Sequence, residues 1–512
     1  MNVNREILDS IFKQARKDLF YPPIVKIELA DVETSEIDFS GRRDRILLGR
    51  EVVKNLSQKA TLGILHHELN HWAKHPYDVK TIIMENHFLG GISYKNDVRN
   101  LYDDVIVNLD LVINKGLTEV AEAYRELPAL GKIDRLLRAF YKEITGVDFG
   151  DVKLELEIKE RLNNLFEIDF LNITRPGIKA NIRKFATIVG DIVGEEIYLP
   201  FSIFSLKNFT PEEIKKAMGY LAGELDPIEY RSIAGEILKE LKKTISISPG
   251  KKSLLQELER PDVSWYRTRA RRYSVFIEAL SKNGSLYPYE IKDFEVDDNI
   301  DTFSAIESYG KVLPGLAKRY SLEGFEGHEE VSIPDVIIMM DSSGSMRHPD
   351  GEISYAVLGA FSIARNYLEH GSQVGVINFS DTNLTLNPTR DDGKVYEMLK
   401  IFQGGGTTLH LDDLNQYLSS VKAKNQKAMD YILITDAGID NIINLVEYLF
   451  KIKGRLTIIW IKSDIQENEK FKKNYKFFKE ELPSSVTFVE IEDEKDIPRI
   501  AVGKSFGAYA RH

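Results

Sequence analysis

The chain has 512 residues, 43% of them hydrophobic and 29% charged, and a net charge of −11. This length exceeds one ordinary core, so we expect two or three domains, and the acidic balance argues against a nucleic-acid partner because phosphates would repel it. The absence of cysteine from the sequence excludes disulfide bonds, thiolate metal sites and cysteine nucleophiles.

The first segment, residues 1–115, is predicted to mix helices and strands. Its first helix is amphipathic and contains no long apolar region, so we predict no signal peptide. Strand-like runs follow at "YPPIVKIEL" and "DRILLG", and then a helical pattern extends to Pro76, a residue type that stops helices. The apolar runs of the sequence are too short for a membrane span, so we expect a cytoplasmic protein without a membrane partner.

The middle segment, residues 116–330, is predicted to be mainly helical and to pack, together with a linker, on the first segment. Stretches such as "GKIDRLLRAFYKEI" and "AGEILKELKKTI" place apolar residues with the 3.6-residue period of an amphipathic helix. A turn-rich stretch, "SLEGFEGHEEVSIP", is expected to connect this segment to the last one.

The last segment, residues 331–512, is predicted to be an α/β domain. Short apolar runs rich in β-branched residues, among them "VIIMM", "QVGVINF", "YILIT" and "LTIIWI", have amphipathic helical stretches between most of them. This alternation is typical of a mostly parallel, doubly wound sheet that is covered on both faces. The predicted fold class is therefore an α/β C-terminal domain joined to a mainly α, α+β N-terminal region.

The stretch "HELNH" carries the first candidate metal site. His67 and His71 are four residues apart and lie on one face of a helix, where both can bind one ion. Glu68 lies beside that face and can take a proton from an attacking water. Neutral imidazole suits zinc, and this is the H-E-x-x-H arrangement of zinc peptidases. The apolar residues before the motif indicate burial, which favours a metal site over an ordinary structural helix.

A catalytic zinc needs a third protein ligand and one open position. His75 lies about 12 Å along the helix from His67 by the rise per residue, so we expect it beside the site or at the surface. The helical stretch "NDVRNLYDDVIVNLDL" offers Asp104, which flanks the apolar stripe of that helix on the same side as Asn108. We predict Asp104 as the third ligand and keep Asp103 as the alternative.

A second candidate site follows a buried strand of the last segment. The stretch "DSSGSM" leaves that strand with an Asp-x-Ser-x-Ser pattern, and ligands of open α/β sheets bind beyond the carboxyl ends of the strands. A glycine-rich loop adds a threonine, and the end of the strand in "YILITDAG" adds an aspartate. Oxygen ligands of this kind suit Mg²⁺. The predicted ligands are Asp341, Ser343, Ser345, Thr407 and Asp436, with Thr408 as the alternative threonine.

Together these residues resemble the metal-ion-dependent adhesion site of the von Willebrand factor A (VWA) family, whose pattern is Asp-x-Ser-x-Ser, a loop threonine and a strand-end aspartate. The resemblance covers the last segment in order, spacing and context. It implies that the serines and the threonine bind Mg²⁺ directly or through water, and that the aspartates bind it mostly through water. It also implies that a partner protein donates a carboxylate to the remaining position.

An H-E-x-x-H segment ahead of a VWA domain resembles a family of prokaryotic proteins described as metallopeptidases with a VWA-like domain. Asp104 followed by Asn108, and the stretches "HELNHWAKHP", "PDVSWYRTRARR" and "IESYGKVLPG", extend that resemblance along the chain. It implies a zincin-like peptidase core in residues 1–115. Relatives of the VWA domain often work beside MoxR-type AAA+ ATPases, so the resemblance also implies an ATPase partner.

Two functions are therefore predicted. In the first, the protein is a zinc metallopeptidase in which Glu68 is the general base, with a VWA domain that docks a protein through Mg²⁺. In the alternative, it is a non-catalytic VWA adaptor that works with a MoxR-type ATPase, and its N-terminal metal is structural or absent.

Overall fold

The protein is described here by a computed structural model covering residues 5–32, 35–38, 44–129, 131–193, 206, 209–242, 249–282, 290–295, 298, 302–313, 315–321, 330–424, 429–451, 454–463 and 468–503. The chain divides into two compact units, Met1–Ser264 and Trp265–His512, called the N-terminal and C-terminal units below. The N-terminal unit contains the first predicted segment and the helices of the middle segment up to Ser264. Most of the predicted connecting stretch lies outside the described residues.

The N-terminal unit is mainly helical, with one small sheet near its start. The strands are β1 (Lys26–Ala30), β2 (Ser35–Asp38) and β3 (Arg45–Gly49), and β3 lies between the others, parallel to β1 and antiparallel to β2. The helices in the described residues are α1 (Arg5–Asp18), α2 (Arg50–Asn55), α3 (Gln58–Ala73), α4 (Val79–Phe88), α5 (Lys95–Leu109), α6 (Glu119–Glu126), α7 (Lys132–Thr145), α8 (Leu156–Leu165), α9 (Arg175–Val193), α10 (Pro211–Glu224), α11 (Pro227–Lys242) and α12 (Pro249–Glu259). A π-helical turn, Asp110–Asn114, extends α5, and α13 (Pro261–Ala270) crosses the boundary between the units.

Helices α3 and α5 form the centre of the N-terminal unit. The side chain of Ser57 accepts a hydrogen bond from the Ala60 amide and so caps the start of α3. Nearly every residue of α3 from Ala60 onward is buried, and so is every residue of α5 from Val98 onward. The residues of the predicted apolar stripe are buried, but so are the polar residues of the other faces, because this helix is enclosed on all sides. Its polar side chains lie inside the unit, where buried polar groups need partners.

Gly63 lies where α3 packs against α6, and the packing leaves no room for a side chain. A methyl group on Gly63 would overlap the backbone carbonyl group of Glu119. We expect the substitution Gly63→Ala to push the two helices apart and to lower the free energy of unfolding by about 1–3 kcal/mol, the usual cost of overpacking. Urea unfolding of the full chain measures this change.

The substitution Gly190→Ala in α9 is the matched control for Gly63→Ala. Nothing lies within 4 Å of the position that a methyl group would take at Gly190. The higher helix propensity of alanine should therefore stabilise the chain, by up to about 1 kcal/mol. If both substitutions stabilised the chain equally, the close approach of α3 and α6 would have no energetic role.

The C-terminal unit is an α/β structure built on a six-stranded sheet. Short strands that pair outside this sheet are β4 (Phe276–Ile277), β5 (Leu280–Lys282), β6 (Glu290–Asp293), β7 (Lys318–Ser321) and β8 (Glu330–Ser332). The strands of the large sheet are β9 (Asp335–Asp341), β10 (Val374–Phe379), β11 (Asn383–Thr389), β12 (Met429–Thr435), β13 (Arg455–Ile461) and β14 (Thr487–Ile491). The helices are α14 (Tyr355–Glu369), α15 (Asp392–Lys400), α16 (Leu411–Lys424), α17 (Ile442–Phe450) and α18 (Glu469–Glu480). A short 3₁₀ helix, Glu494–Arg499, precedes β15 (Ala501–Val502), which pairs with β4.

The strand order of the large sheet is β11-β10-β9-β12-β13-β14. All neighbours are parallel except β10 and β11. This doubly wound order reverses its direction between β9 and β12, which makes the carboxyl ends of these two strands the expected ligand position. Strands β9, β10, β12 and β13 are almost wholly buried, with α14 and α15 against one face and α16, α17 and α18 against the other. The prediction of a mostly parallel sheet that is covered on both faces is thus confirmed.

Candidate metal centres

Three predicted residues of the N-terminal unit meet in its interior. The Nε2 atoms of His67 and His71 are 3.0 Å apart, and Oδ1 of Asp104 lies 3.3 Å from the first and 3.1 Å from the second. All three side chains are buried. Ligands bound at about 2.0–2.1 Å in a tetrahedral shell lie about 3.3 Å from one another, so this triangle has the dimensions of a metal-binding face. We call these residues the first cluster.

The far side of each imidazole in the first cluster is held by a hydrogen bond. Nδ1 of His67 donates to Oδ1 of Asn108 (2.8 Å), whose amide nitrogen in turn donates to the hydroxyl groups of Tyr124 and Tyr141, both at 3.1 Å. Nδ1 of His71 donates to the backbone carbonyl group of His75 (2.9 Å). With both Nδ1 atoms carrying hydrogen, the two Nε2 atoms present lone pairs to the same point, which is the arrangement of metal-binding histidines.

The charges within the first cluster favour a cation. Burial alone would lower the pKa of His67, but the hydrogen bond and the charge of Asp104, followed by the charge of Glu68, raise it overall. Burial would likewise raise the pKa of Asp104, yet the hydrogen bonds and charges of the two histidines lower it. The buried carboxylate of Asp104 therefore stays ionised because the two histidines supply positive charge, and a bound metal ion would supply that charge directly.

Glu68 is fully buried, and its carboxylate is oriented by the small sheet. Oε1 of Glu68 accepts a hydrogen bond of 2.6 Å from the hydroxyl group of Ser35 on the edge strand β2. Glu68 lies on α3, the helix that also carries His67 and His71, and this bond fixes the position of one of its carboxylate oxygens. The arrangement suits a base that must be pointed in one direction before a proton is transferred.

A cleft of about 310 Å³ in the N-terminal unit reaches the first cluster at His71. This volume is at the lower end of the range for ligand sites, about 300–1,000 Å³. The lining residues combine aromatic and apolar side chains with charged ones: Asp44, His71, Trp72, Pro76, Tyr77, Asp78, Val79, Lys80, Ile82, Phe209, Glu213, Lys216, Ala217 and Tyr220. Two of them, Tyr77 and Tyr220, have more than half of their surface exposed. His71 thus belongs both to the buried first cluster and to the lining of this cleft.

Removing the amide that supports His67 should weaken metal binding. We expect Asn108→Ala to raise the dissociation constant for Zn²⁺ by about 10–100-fold, the usual effect of losing a partner behind a metal ligand. Competition with a chromophoric chelator measures the constant. The control is Asn70→Ala, because the side chain of Asn70 is also buried but donates to Val107 and Asp110 instead. An equal loss of affinity in both variants would contradict a specific role for Asn108.

The structure places His75 and Asp103 in a different group of side chains. The ring of His75 is buried and not at the surface, and its backbone carbonyl group lies beside the first cluster, where it accepts the hydrogen bond from Nδ1 of His71. Nε2 of His75 lies 2.6 Å from Oε1 of Glu85 and 3.2 Å from Oδ1 of Asp103. Asp103 therefore faces away from the first cluster, because consecutive residues of α5 point in directions about 100° apart. We call His75, Glu85 and Asp103 the second cluster.

Charge is concentrated in the second cluster as in the first. Burial alone would lower the pKa of His75, but the negative charge of Glu85, which also forms a hydrogen bond with the ring, and the nearby carboxylate of Asp103 raise it to about 10. Burial, followed by the charge of Asp103, raises the pKa of Glu85 to about 7. Both clusters consist of buried histidine and carboxylate atoms close enough to hold a metal ion.

The predicted residues of the C-terminal unit meet at the carboxyl ends of β9 and β12. Asp341 is the last residue of β9, and Asp436 directly follows β12, its parallel neighbour. Oδ2 of Asp341 accepts a 2.7 Å hydrogen bond from the hydroxyl group of Thr435, and Oδ1 accepts one of 3.0 Å from the Ser343 amide. The hydroxyl groups of Ser343 and Ser345 are 3.1 Å apart. These side chains, together with Thr407, form what we call the oxygen cluster.

The loop that carries Thr407 is fixed to the loops on either side. The amide of Gly344 donates to the carbonyl group of Gly405 (3.0 Å), and the amide of Asp440, after β12, donates to the carbonyl group of Thr407 (2.9 Å). Thr407 is buried, whereas the hydroxyl group of the neighbouring Thr408 donates to the carboxylate of Asp440 (3.3 Å). The Thr408 hydroxyl group is therefore already engaged elsewhere, and Thr407 stays the predicted ligand.

The two aspartates of the oxygen cluster are in an unfavourable environment without a cation. Burial, and then the charge of Asp436, raises the pKa of Asp341 to about 7, and burial also raises the pKa of Asp436. Within the described part of the chain, Oδ2 of Asp436 is buried and makes no hydrogen bond. A buried carboxylate oxygen without a hydrogen-bond donor is costly. The side-chain atoms of the cluster that could bind a metal ion are all oxygens. The cluster therefore fits a hard cation.

Some functional residues were missed by sequence reasoning. Glu85 had a detectable signal, since it is a charged residue inside the apolar helical stretch "VKTIIMENHF" and such a residue needs a buried partner. Ser35 had none, because its contact with Glu68 depends on how strand β2 packs against α3. Asn108 donates to Tyr124 and Tyr141, which come from later helices. Spacing in the sequence alone could not pair these tyrosines with Asn108.

No family model and no curated protein matches the sequence. One solved structure similar to part of it is that of three N-terminal domains of the type V pili tip protein Mfa5 from Porphyromonas gingivalis. The identity is 17%, the match covers 21% of this chain and 20% of that chain, and the TM-score is 0.17. A likeness of this size supports no conclusion about fold or function.

Among the residues that the structure describes, no helix combines the length and the apolar character that crossing a bilayer requires.

Proposed function

We propose that the N-terminal unit is a zinc-dependent peptidase of zincin-like architecture. The observation that carries this proposal is the triangle of His67, His71 and Asp104, with edges of 3.0, 3.1 and 3.3 Å. Two imidazoles and one carboxylate are a ligand set of catalytic zinc sites, which leave the fourth position for water or substrate. Zinc held there would activate a water molecule and polarise the carbonyl group of a peptide bond.

The remaining steps are assigned to side chains of this chain. Glu68 accepts the proton of the attacking water and delivers it to the leaving amine. Ser35 holds one oxygen of Glu68 through its 2.6 Å hydrogen bond and so limits the orientations of the carboxylate. Asn108 keeps His67 in the tautomer that presents Nε2. The cleft at His71 admits the substrate, and its exposed aromatic residues suit an extended peptide.

We further propose that the C-terminal unit is a VWA domain that docks a protein through Mg²⁺. This proposal rests on the oxygen cluster at the point where the strand order reverses and on the hydrogen bonds that hold its loops together. A carboxylate of the partner would complete the Mg²⁺ shell. A MoxR-type AAA+ ATPase is the class of partner that the sequence resemblance suggests.

Elemental analysis and metal exchange test the peptidase. We expect the purified chain to contain zinc, and to lose cleavage of a quenched fluorescent peptide library when a chelator removes that zinc. Re-addition of Zn²⁺ should restore the cleavage. A chain that binds zinc at His67 and His71 but cleaves no peptide would contradict the proposal.

The alternative function, a non-catalytic VWA adaptor, is favoured by one observation. The ligand atoms of the first cluster are deeply buried, which is also typical of a structural metal. In that case, substitution of Glu68 would leave the cellular function of the protein unchanged, whereas substitution of Asp341 would abolish that function. The cleft that reaches His71 is the reason why we prefer the peptidase.

A further inference from the structure

The second cluster joins three elements of the N-terminal unit. His75 lies in the link between α3 and α4, Glu85 lies on α4 and Asp103 lies on α5. All three side chains are almost completely enclosed, with exposures of 1%, 0% and 0%. The proposed peptidase mechanism uses none of these side chains.

Hydrogen bonds alone leave the second cluster incompletely satisfied. Nε2 of His75 is close to both carboxylates, but one nitrogen carries one hydrogen and can donate to only one of them. Within the described part of the chain, neither oxygen of Asp103 and only one oxygen of Glu85 has a hydrogen-bond partner. Three buried carboxylate oxygens without donors are more than an ordinary interior tolerates, so each requires an explanation.

Arg99 offers only part of that explanation. Its Nε atom lies 3.5 Å from Oδ2 of Asp103, which is an ion pair at a distance too long for a strong hydrogen bond. Its Nη2 atom donates instead to the side chain of Asn100 (2.5 Å). Arg99 therefore partly balances the charge of Asp103 at Oδ2, while Oδ1 of Asp103 lies 3.2 Å from Nε2 of His75.

We propose that His75, Glu85 and Asp103 bind a second divalent transition-metal ion, which clamps the α3–α4 link, α4 and α5 together. One ligand atom from each residue lies within 4.8 Å of the other two, as in the first cluster. One imidazole and two carboxylates suit Zn²⁺ or Mn²⁺. The proposal does not depend on hydrolysis at the first cluster.

The second site should bind metal more weakly than the first. In the first cluster each imidazole donates its Nδ1 hydrogen to a fixed oxygen, whereas Nδ1 of His75 has no hydrogen-bond partner in the described residues. A missing partner of this kind changes metal affinity by about 10–100-fold. A chelator titration should therefore remove the two ions in separate steps, with the second-cluster ion first.

The number of zinc ions bound per full chain tests the proposal. The zinc content is measured by elemental mass spectrometry on protein kept in excess Mg²⁺. The Mg²⁺ keeps the oxygen cluster from taking up zinc. We expect two zinc ions in the wild type, one in the variant Glu85→Gln/Asp103→Asn, and one in the variant His67→Asn/His71→Asn. The control Asp97→Asn, which changes another carboxylate of α5, should keep two.

The outcomes separate this site from the first one. A single zinc in the wild type that is missing from His67→Asn/His71→Asn overturns the second site and leaves the peptidase intact. A single zinc that persists in that variant, and is lost from Glu85→Gln/Asp103→Asn, supports the second site and overturns the peptidase. If Glu85→Gln/Asp103→Asn does not fold, the variant His67→Asn/His71→Asn decides, since it retains one zinc ion or none.

Discussion

Replacing Glu68 with glutamine is expected to abolish peptide hydrolysis while zinc stays bound. Glutamine preserves the size of the side chain and can still accept the hydrogen bond from Ser35, but it cannot take up a proton. A general base contributes about 10²–10⁴-fold to the rate, so kcat/KM should fall by at least that factor. The zinc content should not change, because the ligand atoms belong to His67, His71 and Asp104. Initial rates on the fluorescent peptide library and metal analysis of the same sample measure both quantities.

Two further variants make the result specific to the carboxylate of Glu68. Glu143→Gln changes an exposed glutamate of α7 and should leave the rate unchanged. Ser35→Ala keeps the carboxylate but removes the 2.6 Å hydrogen bond that orients it, so an intermediate loss in kcat with little change in KM is expected. A Glu68→Gln variant with the activity of the wild type would exclude Glu68 as the base.

The fold of the C-terminal unit was more predictable than that of the N-terminal unit. Buried parallel strands are continuous apolar runs, so β9, β10, β12 and β13 could be recognised one by one from the sequence. The edge strand β11 was missed because its residues, "NLTLNPT", are half-buried or exposed and contain a proline. Helices α3 and α5 were recognised as helices, and burial was predicted for the motif in α3. The burial of α5 on all sides was not predicted, since it depends on later helices that pack around it.

The candidate metal sites show the same limit. Spacing within one helix predicted His67 and His71, and Asp104 followed from its position beside an apolar stripe. The separation of Asp103 from Asp104 could not be predicted, because it depends on which neighbouring helix each residue of α5 faces. Glu85 on α4 is what draws Asp103 and His75 into a second cluster, and only the three-dimensional arrangement brings α4 to that side.

Replacing Asp341 with asparagine is expected to remove the stabilisation of the chain by Mg²⁺ without destabilising the metal-free protein. In the metal-free chain the buried carboxylates of Asp341 and Asp436 repel each other, and the pKa of Asp341 is raised to about 7. Asparagine removes one negative charge and still accepts the hydrogen bond from the Ser343 amide. The wild type should gain about 2.7 kcal/mol at a Mg²⁺ concentration of 100 times Kd, and the variant should gain nothing.

Thermal unfolding in EDTA and in Mg²⁺ measures this difference, and the adjacent threonines supply a matched pair. Thr407→Val should lose the stabilisation by Mg²⁺, as Asp341→Asn does, because a methyl group replaces a ligand oxygen without changing the size of the side chain. Thr408→Val should retain it, since that hydroxyl group is bonded to Asp440 instead. An equal Mg²⁺-dependent shift in the wild type and in Asp341→Asn would exclude the oxygen cluster as the binding site. If Thr408→Val lost the stabilisation by Mg²⁺ and Thr407→Val kept it, the oxygen cluster would remain the binding site. Thr408 would then be the ligand in place of Thr407, because both side chains belong to the same loop.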